Sequence, residues 1–103
     1  MFAPVGLSLT TSANKILFYE IKDNTITFSK SPNNAAEDIL EYHVYRRKVN
    51  ENDSALSRVG TVGASVFRYT DAQLRGGQKF AYALKTKFTD NRVSGFSTVV
   101  LER

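Results

Sequence analysis

The chain contains no cysteine. That absence excludes a disulfide framework, a thiolate nucleophile and any cysteine-based zinc site. It does not fix the compartment, because small exported domains also fold without disulfides. Histidine occurs once, at His43. A catalytic triad or imidazole-based metal site would have to gather its carboxylates around that one residue from distant parts of the chain. No apolar run approaches the ~18 residues of a membrane-spanning helix, so membrane insertion is not expected. The start, Met1-Phe-Ala-Pro4, has neither the basic lead nor the apolar core of a signal peptide. The chain is therefore either cytoplasmic or a piece of a longer protein. No glycine-rich loop joins a strand to a helix, and Gly60-Thr-Val-Gly63 and Arg75-Gly-Gly77 read as turns rather than phosphate loops.

What is present suits one domain. At 103 residues there is room for a single core and no second one, so residues 1–103 form one unit with 1–3 as a linker. Fourteen Lys and Arg stand against ten Asp and Glu, a formal charge of +4. The excess is modest and spread along the chain, whereas a nucleic-acid binder concentrates it on one helix or stripe. Nucleic acid is not the expected partner.

The local pattern is β throughout. Short β-prone runs are separated by Asn, Asp, Gly, Pro and Ser, giving candidate strands Val5–Thr10, Lys15–Ile21, Thr25–Lys30, Glu41–Arg47, Leu56–Val62, Val66–Thr70, Lys79–Phe88 and Ser97–Leu101. The one helix-like patch, 34–41, has no apolar stripe and reads as a loop. Asp23-Asn24 suits a tight hairpin, Ser31-Pro-Asn-Asn34 stops a strand, and Gly76-Gly77 and Asp90-Asn91 supply corners. Alternation in the strand from Lys79 turns Phe80, Tyr82, Leu84, Thr86 and Phe88 inward and Ala81, Ala83, Lys85 and Lys87 outward. In the Tyr42 strand, Tyr42 and Val44 face in, while Glu41, His43, Tyr45 and Arg47 face out. Ile26, Phe28, Phe67, Tyr69 and Leu74 complete the expected core. The fold class is all-β, a two-sheet immunoglobulin-like β-sandwich of about seven strands.

The order of these features resembles a fibronectin type III domain. The residues that carry the resemblance are Pro4 before Val5, Leu7 and Leu9; Ile26-Thr-Phe28; Tyr42-His-Val44-Tyr-Arg46; Tyr69-Thr-Asp71 running to Leu74; Phe80-Ala-Tyr82; and Ser94-Gly-Phe-Ser97 before Thr98-Val-Val-Leu101. It spans the chain from about Pro4 to the C-terminus. Two positions depart from the family pattern: Lys30 stands where a core tryptophan is usual, and Phe80 where a corner tyrosine is usual. Arg75 is followed by Gly76-Gly77, so the integrin-binding tripeptide of some animal relatives is missing. The resemblance implies a divergent, bacterial member, with no cofactor and no catalysis. It would be one module of an exported protein, outside the cell or at its surface, beside neighbouring domains.

Candidate functional residues are few. His43 reads as an exposed imidazole, and the carboxylates Glu37, Asp38, Glu51 and Asp53 sit in loops rather than a cleft. The interaction face expected for a protein or carbohydrate ligand is His43, Tyr45, Arg47, Lys85 and Lys87, with the loop 50–54 beside it. Cross-strand Lys and Arg that keep a sheet face soluble account for the same residues. The alternative function is a basic β-domain holding nucleic acid or another polyanion through Arg46, Arg47, Arg58, Lys85 and Lys87.

Overall fold

The computed structural model describes residues 2–16, 19–75 and 77–103. Among the described residues, seven strands form two antiparallel sheets: β1 (Val5–Ile16), β2 (Tyr19–Ser29), β3 (Ile39–Lys48), β4 (Ser57–Gly63), β5 (Arg68–Arg75), β6 (Phe80–Phe88) and β7 (Val100–Leu101). The order β1-β2-β5 makes one sheet and β4-β3-β6-β7 the other. Two 3-10 turns, Ala36–Asp38 and Asp53–Ala55, lie in the connections, the first of them in the patch read as a loop.

The interior follows the alternation. Ile26, Phe28, Tyr42, Val44, Phe80, Tyr82, Leu84 and Phe88 are buried in one cluster, with Leu7, Leu9, Tyr69 and Leu74 packed against it. Phe67 is a partial exception, 41% exposed. Its ring still lies 5.9 Å from Phe28 and 6.0 Å from Tyr42, and Phe28 meets Tyr42 edge-on at 5.1 Å. These rings supply the bulk that a tryptophan at position 30 would have given. Lys30 itself turns to the 31–34 turn and donates to the carbonyls of Ser31 and Asn34 at 2.9 and 2.6 Å.

Several sequence expectations are corrected. The run expected at Lys15–Ile21 is divided: Lys15 and Ile16 end β1, residues 17 and 18 lie outside the described residues, and Tyr19–Ile21 begin β2. That strand continues through the run expected from Thr25, so Asp23-Asn24 lies in the middle of β2 instead of at a turn. Asn24 is fully buried, and tertiary partners rather than a turn satisfy its amide. Thr11 Oγ1 donates to its Oδ1 at 2.7 Å, while its Nδ2 reaches Glu102 Oε1 at 2.8 Å and the Tyr82 hydroxyl at 3.1 Å. A bulge between Lys22 and Asn24 in the β2–β5 ladder absorbs the irregularity. Ala81 and Ala83 face outward as expected yet are wholly buried, because their cross-strand neighbours Arg47 and Tyr45 are long side chains beside small ones. The turn at 31–34 and the Asp90-Asn91 corner are present, the latter with Asn91 at φ 73. Gly76 lies outside the described residues.

The polar interior was not foreseen. Lys22 is 3% exposed and Glu102 7%, and the two form an ion pair between the sheets. Lys22 Nζ also donates to the Gln78 carbonyl, and Glu102 Oε1 accepts from the Phe80 backbone N–H at 3.1 Å. Through Asn24 the network continues to Tyr82, whose hydroxyl donates to Asp71 Oδ2 at 2.6 Å. Arg46 then donates to the same Asp71 oxygen at 2.9 Å and lies 4.7 Å over the Phe80 ring. The corner without a tyrosine is thus held by a carboxylate from the far end of the chain. Burial and the bond to Asp71 hold the Tyr82 phenol neutral well above the usual tyrosine range. For Glu102 burial alone would raise the carboxyl, but hydrogen bonds from Lys22, Asn24 and Phe80 outweigh it and hold it below its ordinary value.

A carboxyl depressed by folding contributes stability above its unfolded pKa of about 4.3, and that contribution is lost as pH falls through the folded value. Glu102→Gln should cost about 3–5 kcal/mol at pH 7 by leaving the Lys22 charge unpaired. In urea titrations across pH, the gap between wild type and variant should narrow below about pH 4; a gap independent of pH would contradict the ionised pair. Gly60 lies under Tyr69, where an added Cβ would fall 2.3 Å from the ring, and Tyr69 donates to the Val59 carbonyl at 3.0 Å. Gly60→Ala should therefore destabilise by about 1–3 kcal/mol, seen as a lowered melting temperature.

Candidate interaction face

The outer face of the four-stranded sheet is laid out in rows by the ladder. Glu41 stands opposite Lys87, His43 opposite Lys85, Tyr45 opposite Ala83 and Arg47 opposite Ala81. The five residues expected to share a face do share it, though they are not equally available to a partner.

His43 is not exposed. It is 4% accessible, and its Nε2 lies 2.7 Å from Glu41 Oε2, so Nε2 carries the donating proton. Arg58 Nη1 sits 3.2 Å from both ring nitrogens. Equal distances put the guanidinium against the ring face, since an in-plane bond to one nitrogen would leave the other much farther away. The imidazole is thus sandwiched in the sheet surface. Arg47 is likewise occupied: it bonds Asp53 Oδ1 at 2.9 Å and the carbonyls of Lys48 and Val49 at 3.1 and 3.2 Å. It fastens the loop 50–54 to the end of β3. Glu51 closes the same loop by accepting from the Lys48 N–H at 2.8 Å. The loop carboxylates therefore have structural partners, and among the described residues no group of His, Asp and Glu could hold a metal.

The centre of the face is a residue that sequence reasoning left out. Phe96, 43% exposed, meets Tyr45 edge-on with centroids 4.9 Å apart. The Lys85 ammonium sits 4.2 Å from the Phe96 centroid and 5.3 Å from that of Tyr45. Phe96 is placed by the serines on either side of it. Ser94 and Ser97 each exchange two bonds with β6, donating from N–H to the carbonyls of Thr86 and Leu84 and accepting through Oγ from the same residues at 2.9 Å. Both serines point in, and the phenylalanine between them lies out on the sheet. The inward-turning pair Ser94 and Ser97 was the available signal.

Arg46 faces the other way, into the polar network, so the five cations of the polyanion alternative do not converge. On the outer face Arg58, Lys85 and Lys87 make no ion pair among the described residues. The face combines one aromatic pair with cations free to meet an anion.

No family model and no curated protein matches the chain. Solved structures do match. The FN1–FN3 domains of chicken contactin align over 96% of this chain and 29% of that one, with TM-score 0.70 and 10% identity. A myokine structure aligns over 98% of this chain and 94% of that one, at TM-score 0.68 and 12% identity. The fold is that of a fibronectin type III domain. Pectate lyase PelI from Erwinia chrysanthemi, in complex with tetragalacturonic acid, contains a similar unit: TM-score 0.66, 16% identity, covering 94% of this chain and 28% of the lyase. The fibronectin type III fold thus spans about a quarter of the lyase and contactin chains, and their activities belong to those whole proteins.

His43 tests the surface packing. His43→Ala would unpair Glu41 and remove the platform under Arg58, and should cost about 1–3 kcal/mol in chemical denaturation. A loss below about 0.5 kcal/mol would mark an ordinary exposed histidine.

Proposed function

We propose that this chain is a non-catalytic module of a longer exported protein, acting outside the cell or at its surface as a spacer that also holds an anionic glycan. The observation that supports the modular part is coverage: nearly all of this chain aligns to about a quarter of the lyase and contactin chains. A leader peptide in the full reading frame, and recovery of the protein outside the cell, would bear out export; a purely cytoplasmic product would overturn it.

The glycan part rests on the outer face. A uronic sugar presents a C–H face that can lie on Phe96 or Tyr45 and a carboxylate that can meet Lys85 or Lys87. The tetragalacturonic acid named with the lyase belongs to this ligand class. The second reading, a nucleic-acid or other polyanion binder, draws on the same unpaired cations and the +4 charge. Affinity electrophoresis through polygalacturonate, neutral dextran and single-stranded DNA at about 50 and 500 mM salt separates the readings. Retardation should occur in polygalacturonate, weaken with salt, and drop about tenfold or more in Lys85→Ala and Phe96→Ala. Stronger retardation by DNA would favour the second reading, and none in any matrix would leave the spacer alone.

A further inference from the structure

A sandwich of two open sheets has four edge strands, each with outward N–H and C=O groups lacking a ladder partner. Here they are β1 and β5 on one sheet, β4 and β7 on the other. Three of them carry features that discourage pairing. β5 places Arg68, Asp71 and Arg75 within eight residues. β4 is seven residues long, with Arg58 and two glycines. β7 has only two residues, and the chain before it is stitched to β6 by Ser94 and Ser97.

β1 is different. It runs twelve residues, and from Leu7 to Asn14 it contains no charge, no proline and no glycine. Its one irregularity, a bulge between Val5 and Ser8 with Gly6 at φ 64, lies at the start. A groove of about 630 Å³ runs beside it, lined by Leu7 and Leu9 from β1, by Val100 and Leu101 from the last strand, and by Arg103 beyond it. Leu101 is 54% exposed there.

We propose that this edge pairs with itself: two copies join β1 to β1, antiparallel about a two-fold axis at Thr10, into one continuous sheet. A two-fold axis makes any strand complementary to itself, and β1 suits that arrangement in pattern and charge. With Thr10 on the axis, Leu7 stands opposite Ala13 and Leu9 opposite Thr11 on the core side, while Ser8 meets Ser12 on the solvent side. The only charge on the strand, Lys15, lies near its far end. Antiparallel pairing sets the two lysines about 33 Å apart, beyond the ~8 Å Debye length. A foreign strand gains no such match, and an acidic one would find only Lys15 on the strand and Arg103 beside it.

Each copy carries +4, so the dimer should strengthen as salt rises. This contrasts with the glycan binding proposed above, and the two ideas can fail separately. Sedimentation equilibrium of the chain from about 10 μM to 1 mM, at about 50 and 500 mM salt, should show a reversible dimer favoured at the higher salt. Thr10 is exposed, and Thr10→Lys places two ammonium groups together at the axis. It should weaken the dimer about tenfold or more, as should Ser8→Lys, with unchanged circular dichroism and melting of the monomer. Thr61→Lys, exposed on β4, should leave association intact. A chain that stays monomeric throughout overturns the proposal, as does dimerisation of both β1 variants at wild-type strength. Equal weakening by Thr61→Lys would overturn it too.

Discussion

The ion pair between Lys22 and Glu102 is the contact on which the closure of this sandwich depends. It joins β2 of the three-stranded sheet to the residue just after β7, the outermost strand of the other. β7 has two residues, too short a ladder to hold the end of the chain by itself. A buried pair adds little over apolar residues of equal volume, but half a pair is strongly unfavourable. It therefore acts by exclusion: any arrangement that separates the last strand from β2 leaves a charge in the interior. Asn24, Tyr82, Asp71 and Arg46 extend the same rule across the gap, each filling a polar valence of its neighbour.

That network also explains the departure at the corner. Phe80 has no hydroxyl to give, yet its N–H and C=O both bond Glu102, and Arg46 covers its ring. With one end of the sandwich secured internally, the outer face of the four-stranded sheet is free of that task. Even there most polar groups are used locally, His43 by Glu41 and Arg58, Arg47 by Asp53. The proposed partner contacts fall to what remains: the Tyr45–Phe96 rings, Lys85 and Lys87 on the face, and the stretch of β1 from Leu7 to Asn14, which carries no charge.

Much of the fold was legible because period-two alternation reports burial directly. Tyr42, Val44, Tyr82 and Leu84 are all fully buried, as the pattern required. The same rule failed where exposure depends on what lies above a residue. His43 points outward as expected, but Arg58, from another strand, covers it, and nothing in the local sequence encodes that overlap. Asp23-Asn24 misled for a related reason. Asparagine favours turns when its amide must be satisfied nearby, and here its partners come from positions 11, 82 and 102. For the interaction face, the charged members were visible in strand register. Phe96 was not, because its run lies outside the named strands and is placed by serine side chains.

The amino-acid sequence by itself determined that this is a cysteine-free β-sandwich with the topology of a fibronectin type III domain. Strand periodicity and turn chemistry are local properties, readable without knowing what packs where. The tertiary structure decided which polar residues are buried, which cations remain free and which edge is left open. Those depend on contacts between residues up to 80 positions apart, as Lys22 and Glu102 are. Lysine and glutamate look like surface residues to any local rule; only the meeting of the sheets makes them an interior pair.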